Sequence, residues 1–308
     1  MMTSEQRQPL IVDVKRHCLA DGPGIRSVVF FKGCPLRCTF CHNPETQHRE
    51  VEIAFRAHRC IACGCCAEAC GHGAIDLSCR SRIHRSLCQR CGECTQACPS
   101  GALMHVGRRY EVEELAEILL RDQRFYFHSG GGVTFSGGEC TMYPDYLSKL
   151  GAVLKANEVH IALETCGEFE FESFRDRVLP YIDLVYYDVK LADPERHREI
   201  TGRTNDRILA NLRRLLAMAD GCVQPRVPLI PDVTDDPENL TAIVDTLLEA
   251  GAAEVTLLPY NPLGQDMAVN LGRPRPRCSQ RFVNAEEENR LRVWFESMVQ
   301  TRRRRRVS

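Results

Sequence analysis

The chain has 308 residues, 44% of them hydrophobic and 26% charged, which suffices to bury one large core with a smaller one beside it. A formal net charge of -1 provides no global field to favour nucleic acid or a membrane surface, and no stretch approaches the length of an apolar membrane span. Eighteen cysteines, many at C-x-x-C spacing within alternating strand and helix patterns, argue against a small disulfide scaffold and for metal ligation in a reducing cytoplasm. The polar start, residues 1–9, lacks the apolar core of a secretory signal, in keeping with that placement.

Residues 10–15 alternate enough for a short strand. The Gly22-Pro23-Gly24 turn follows, and the apolar run 27–31 reads as a second strand. Directly after it stands Gly33-Cys34-Pro35-Leu36-Arg37-Cys38-Thr39-Phe40-Cys41-His42-Asn43-Pro44-Glu45, with its cysteines at C-x3-C-x2-C. Three thiolates can hold three corners of a [4Fe-4S] cube and leave the fourth iron open to a small molecule. The competing reading is a zinc knuckle that takes His42 as its fourth ligand.

Between residues 52 and 105 the composition changes. Cys60, Cys63, Cys66 and Cys70 are spaced C-x2-C-x2-C-x3-C, and Cys88, Cys91, Cys94 and Cys98 repeat that spacing, with Pro99 after the second set. In the bacterial ferredoxin run the fourth cysteine of each set serves the other cluster. This assigns one [4Fe-4S] cluster to Cys60, Cys63, Cys66 and Cys98, and another to Cys88, Cys91, Cys94 and Cys70. The first set ends in Gly71 rather than proline, and Cys65 and Cys79 are extra thiols; only Cys66 keeps the three-residue gap to Cys70. Such an insert relays electrons, or its clusters stand in for a core it is too short to build, or both.

Beyond the insert, helices are expected over 112–127, with Leu115, Ile118, Leu119 and Phe125 at helical intervals, and over 145–156, 171–179, 206–219, 237–250 and 285–300. Strands are expected over 132–135, 160–163, 184–187, 224–229 and 254–258. With 27–31 as the first strand, this alternation gives six strand-helix units around a parallel sheet, with the chemistry at the strand ends. Cys18, Cys140, Cys166, Cys222 and Cys278 read as small core or loop thiols. The arginine run 302–306 reads either as a surface for an acidic partner or as a solvated, disordered end.

Asp21-Gly22-Pro23-Gly24-Ile25-Arg26, followed by the loop 33–45, resembles the N-terminal signature of glycyl-radical-enzyme activating enzymes, a branch of the radical SAM superfamily. The resemblance extends over roughly 14–263. It implies an α/β fold: a partial (βα)6 TIM-like barrel over 1–51 and 106–308, with a bacterial-ferredoxin-like 2[4Fe-4S] domain inserted at 52–105. It also implies reductive cleavage of S-adenosylmethionine (SAM) at the open iron on Cys34, Cys38 and Cys41. The resulting 5'-deoxyadenosyl radical removes a hydrogen from a backbone glycine of a partner glycyl radical enzyme.

Further implications fall on individual residues. Phe40 lies where the family places adenine, and Asp21 and His42 face the incoming glycine loop; the alternative for Asp21 is to cap its own turn. Gly137, Gly138 and Glu139 resemble the motif that meets the SAM amino group. Glu164, Thr165 and Asp188 match positions around a monovalent cation, Glu164 standing where some relatives have Asp. Lys190 and Arg226 are candidates for the SAM carboxylate and ribose, although Asp188 and Lys190 could instead form an ion pair closing the barrel top. Asn261 stands where the pyruvate formate-lyase activating branch has histidine, which puts a substrate contact there in doubt. The resemblance supplies three [4Fe-4S] clusters in all and reduced flavodoxin or ferredoxin as electron donor, with no membrane or nucleic acid partner. Two alternatives stand beside it: a radical SAM enzyme acting on a small molecule, and a ferredoxin-type electron carrier that would leave the barrel motifs idle.

Overall fold

The segment Arg26-Ser27-Val28-Val29-Phe30-Phe31 is buried at every position, as a strand must be when helices and strands cover both of its faces. The computed structural model describes residues 8–218, 221–275, 278 and 285–307. Its strands in chain order are β1 (Leu10–Cys18), β2 (Arg26–Phe31), β3 (Glu52–Phe55), β4 (Leu103–Val106), β5 (Arg108–Arg109), β6 (Gly132–Gly137), β7 (His160–Thr165), β8 (Leu184–Asp188), β9 (Val223–Leu229) and β10 (Thr256–Pro259). Eight of them form one sheet in the order β10-β9-β8-β7-β6-β2-β1-β5. From β2 to β10 all neighbours are parallel, while β1 and β5 extend the β2 edge antiparallel. Six parallel strands in an open α/β sheet match the expected alternation, and among the described residues no pairing joins β10 to β1 or β5.

Helices cover the sheet through apolar stripes at three- and four-residue spacing. Leu147, Leu150 and Leu154 come from the helix Pro144–Ala156, Ile208, Leu212 and Leu215 from Asp206–Met218, and Leu240, Ile243, Val244 and Leu247 from Pro237–Glu249; all are buried in one core with the strands. The helix expected over 112–127 is two, Val112–Leu120 and Gln123–Ser129. The break falls at Asp122, whose buried carboxylate accepts from Arg16 Nε at 2.6 Å and Ser27 Oγ at 2.9 Å. Phe125 consequently points outward, 48% exposed, instead of joining the core.

Two helices escape the periodicity: Pro194–Thr201 and Gly264–Asn270. The first is mostly charged, yet its caps are legible, with Asp193 accepting from Arg196 N at 2.7 Å and Gly202 left-handed at its end. The last helix, Ala285–Val307, runs on through the arginines. The expectation of a disordered end is therefore corrected: arginine is a good helix former, and Arg302 pairs with Asp245 at 2.9 Å. Residues 1–7 of the polar start and position 219 of the helix expected over 206–219 lie outside the described residues. Among the described residues no helix is long and apolar enough to cross a membrane.

The cysteine-rich stretch has its own small sheet, β3 against β4 antiparallel, with Ile53 opposite His105 and Phe55 opposite Leu103. Ile53, Phe55, Ile83, Cys94, Ala102 and Leu103 make a separate core cluster there. Two four-residue helices, Cys65–Glu68 and Glu93–Gln96, each follow a left-handed glycine, Gly64 and Gly92. The hairpin is fastened to the large sheet by fully buried Lys32, which donates to Glu52 at 2.7 Å, and by Arg273, which reaches Glu52 at 2.5 Å.

Candidate active site

The cysteine loop begins where β2 ends and is fixed by backbone hydrogen bonds on two sides. Gly33 N donates to Thr46 O at 2.6 Å and Cys34 N to Gln47 O at 3.0 Å. Arg37 N and Thr39 N donate to Thr201 O and Ile200 O at 2.6 and 3.0 Å. The unexpected helix Pro194–Thr201 is thus the support of the loop. On the other side the glycine motif after β6 presses against it: Glu139 N donates to Gly33 O at 2.8 Å, and a Cβ on Gly138 would lie 2.3 Å from that oxygen. The glycines serve this backbone-to-backbone approach as well as any ligand.

These loops and the ends of the parallel strands open onto one cleft of about 640 Å³. Cys34, Cys38 and Cys41 line it together with Phe40, His42, Gly137 and Gly138. Asp21 approaches from the β1–β2 turn, and Glu164, Thr165, Asp188, Lys190 and Arg226 from the ends of β7, β8 and β9. Burial pushes the Cys38 thiol up to about 12 and the Cys41 thiol higher still, so loading a metal there must displace tightly held protons. Cys166 shares a thiol hydrogen bond with Cys34 that holds the Cys34 thiol below its ordinary value. The same bond, with burial, pushes Cys166 well above its own. Among the described residues no three His, Cys, Asp or Glu side chains converge on a single ion.

The far wall is charged. Arg226 Nη1 donates to Glu164 Oε1 at 2.6 Å and Nε to Asp188 Oδ1 at 3.0 Å, while Lys190 reaches Asp188 Oδ2 at 3.3 Å. Burial works against ionisation of Asp188, but Arg226 and Lys190 outweigh it and hold the carboxyl below its usual range. The Arg226 guanidinium bridges the Glu164 and Asp188 carboxylates, two of the three residues expected around a monovalent cation. Thr165 Oγ1 turns away from them and donates to Glu139 at 2.9 Å. Burial and then the charge of Glu164 push the Asp21 carboxyl up, whereas burial pushes the His42 imidazole down.

Glu139 is not on the cleft. It is fully buried and accepts from Thr141 Oγ1 at 2.6 Å, Thr165 Oγ1 at 2.9 Å and Cys166 N at 2.7 Å. Its carboxylate ties the end of β6 to the end of β7, while its contact with the SAM amino group stays what the resemblance implies. The backbone of Gly137 and Gly138 lines the cleft.

In the cysteine-rich stretch the eight ferredoxin-type cysteines fall into two recesses. Cys60, Cys63, Cys66 and Cys98 border one, and Cys70, Cys88, Cys91 and Cys94 the other. Each set takes its fourth thiol from the other half of the stretch, the exchange expected from the spacing. Cys65 and Cys79 border neither recess.

Several cleft residues escaped the sequence reading. Lys15 on β1 lies 4.7 Å from the Phe30 ring centroid, and Ser136 donates to Glu164 Oε2 at 2.5 Å. Cys18 and Cys166, read as plain core or loop thiols, also line the cleft, as does Asn261. Only the place of Cys166 directly after Glu164-Thr165 could have marked it.

Comparison with known proteins places this geometry in a family. The model of the radical SAM superfamily matches residues 28–244. The choline trimethylamine-lyase activating enzyme of Oleidesulfovibrio alaskensis is 39% identical over 279 residues, 88% of this chain and 89% of that protein. The trans-4-hydroxy-L-proline dehydratase activating enzyme of Clostridioides difficile is 39% identical over 261 residues, 83% and 86% of the two chains. The benzylsuccinate synthase activating enzyme of Thauera aromatica is 39% identical over 273 residues, 86% and 82%. Streptococcus suis SuiB bound to precursor peptide SuiA shares the fold, with a TM-score of 0.53 at 14% identity over 88% of this chain and 44% of that one. The chain therefore belongs to the radical SAM superfamily and, within it, to the activating enzymes of glycyl radical enzymes.

Proposed function

We propose that Cys34, Cys38 and Cys41 hold the reactive [4Fe-4S] cluster and that the rest of the cleft holds SAM between that cluster and a glycine-bearing loop of the partner enzyme. The observation that carries this reading is the convergence of the three thiols, the Gly137-Gly138 backbone and the Asp188, Lys190 and Arg226 charges on one cleft. Bound there, the cluster would supply the electron for cleavage of SAM to methionine and the 5'-deoxyadenosyl radical that takes hydrogen from the glycine. The chain's own residues ligate, orient and exclude solvent. Lys190 and Arg226 face the SAM carboxylate and ribose, Phe40 packs against adenine, and Thr165 fixes the β7 end beside them. Asp21 and His42 meet the glycine loop. Because that loop must leave its own enzyme to enter the cleft, the complex is transient.

The unit 52–105 acts as a ferredoxin-like insert in the barrel formed by 1–51 and 106–308. Its two recesses carry two further [4Fe-4S] clusters, three in all, fed by reduced flavodoxin or ferredoxin in an oxygen-free cytoplasm. Relatives are named for a lyase, a dehydratase and a synthase. The partner here belongs to that group of glycyl radical enzymes. The test is anaerobic reconstitution with SAM and a strong reductant. The intact chain yields 5'-deoxyadenosine, Cys34→Ala yields none, and a candidate partner acquires a glycyl doublet in electron paramagnetic resonance. Zinc in place of iron at the three thiols, or no SAM cleavage by the iron-loaded chain, would sink the reading.

A further inference from the structure

The two cysteine recesses are not equivalent. The one bordered by Cys70, Cys88, Cys91 and Cys94 also includes Ile53 and Arg90. Ile53 follows Glu52, the residue held by Lys32 and Arg273, and Arg90 pairs with Glu50 at 3.1 Å. This recess is proximal to the barrel. The recess bordered by Cys60, Cys63, Cys66 and Cys98 includes Phe55 and Leu103, paired at the other end of the hairpin. Phe55 lies two positions beyond Ile53, about 7 Å farther out along the strand.

The distal recess also meets solvent through apolar side chains. Ile61 is 65% exposed and Leu77 47%, and both border it. Charge surrounds them. Between residues 56 and 82 stand four arginines, Arg56, Arg59, Arg80 and Arg82, against two carboxylates, Glu68 and Asp76. Asp76 is engaged by Ser78 and His84, whereas Arg59 and Arg80 are exposed. Arg82 donates to Cys60 Sγ at 3.5 Å and to Leu77 O at 2.5 Å, with its Nε buried and unpartnered. That orphan donor, beside a set of four thiols, fits a site whose sulfurs accept hydrogen bonds.

We propose that this distal face, Arg59, Ile61, Leu77 and Arg80, docks an acidic, low-potential one-electron carrier protein and is the port by which electrons enter the chain. The inference rests on the reading of the eight cysteines as ligands of two clusters. Exposed apolar side chains give contact area, and the arginines steer an acidic partner. Each encounter moves one electron: the carrier is oxidised by one, the distal site is reduced by one, and the electron passes through the proximal site to the three-cysteine site. No bond forms or breaks in the transfer.

The test uses the full reconstituted chain without SAM, mixed anaerobically with reduced flavodoxin while iron-sulfur absorbance is followed over a range of salt, with titanium(III) citrate as a parallel reductant. Leu77→Glu with Arg80→Glu is expected to slow bleaching by flavodoxin about ten-fold and to flatten its salt dependence. Bleaching by titanium(III) should be unchanged. Arg59→Glu with Arg80→Glu, which leaves the recess lining intact, should do the same, and Arg290→Glu with Arg292→Glu on the last helix should do nothing. An unchanged flavodoxin rate in both distal double variants, or an equal loss with titanium(III), overturns the docking face. No bleaching of the unmodified chain by titanium(III) overturns the two-cluster reading and the docking face with it. SAM cleavage, measured separately with titanium(III), reports on the activating function alone.

Discussion

The parallel sheet and the cysteine-rich hairpin solve the problem of a stable interior differently. In the sheet, helices lay leucine, isoleucine, valine and phenylalanine stripes against buried strands, and that core closes without help from metal. In the hairpin, six buried residues, one of them Cys94, share a small core with partly buried Cys60, Cys66, Cys88 and Cys98. Thiols occupy positions that apolar side chains fill in the larger region. On the two-cluster proposal, ligation in the hairpin would be a folding device as well as a redox one, because so small an apolar core does not offset the entropy of ordering the chain.

The largest effect that could break this contrast is removal of iron. Chelation under reducing conditions is expected to reduce amide protection in β3 and β4 to that of a loop while β6, β7 and β8 keep theirs, as read by hydrogen exchange. Equal protection in both regions afterwards would erase the distinction.

A smaller effect tests how the parallel sheet manages charge instead of metal. Arg226→Met strands Glu164 and Asp188 and is expected to cost about 3–5 kcal/mol in urea unfolding at neutral pH. Because Asp188 is held below its ordinary value, its contribution is complete above about pH 4 and is lost as the pH falls through the lowered folded value. The gap between wild type and variant should therefore narrow in acid; a gap independent of pH would exclude the Asp188 ion pair as its source.

The smallest effect separates brace from ligand. Glu139→Gln places an amide among donors that need an acceptor and is expected to cost about 1–3 kcal/mol of stability while leaving the KM for SAM unchanged. A raised KM with unchanged stability would return Glu139 to the amine-binding role.

Much of this was legible before any coordinates. The six parallel strands announced themselves through short apolar runs, and the cysteine loop through spacing alone. The helix Pro194–Thr201 did not, because its contacts are capping hydrogen bonds and backbone carbonyls offered to Arg37 and Thr39, which leave no apolar period. Asp122 was invisible for a similar reason: a carboxylate that turns inward looks, in sequence, like any charged residue on a helix surface.

What the sequence determined by itself is the grouping and order of the cysteines. Thiolate chemistry and fixed intervals specify which cysteines act as sets, and strand periodicity specifies which loops lie at the active end of the sheet. What only the tertiary structure decided is direction. Whether Glu139 faces the cleft or the β6–β7 seam, whether Arg226 reaches both Glu164 and Asp188, and which cysteine recess lies outward all depend on side chains far apart in sequence. Local pattern constrains the backbone, but a carboxylate or guanidinium takes the direction in which its buried charge finds hydrogen-bond partners, and those partners are assembled only by the fold.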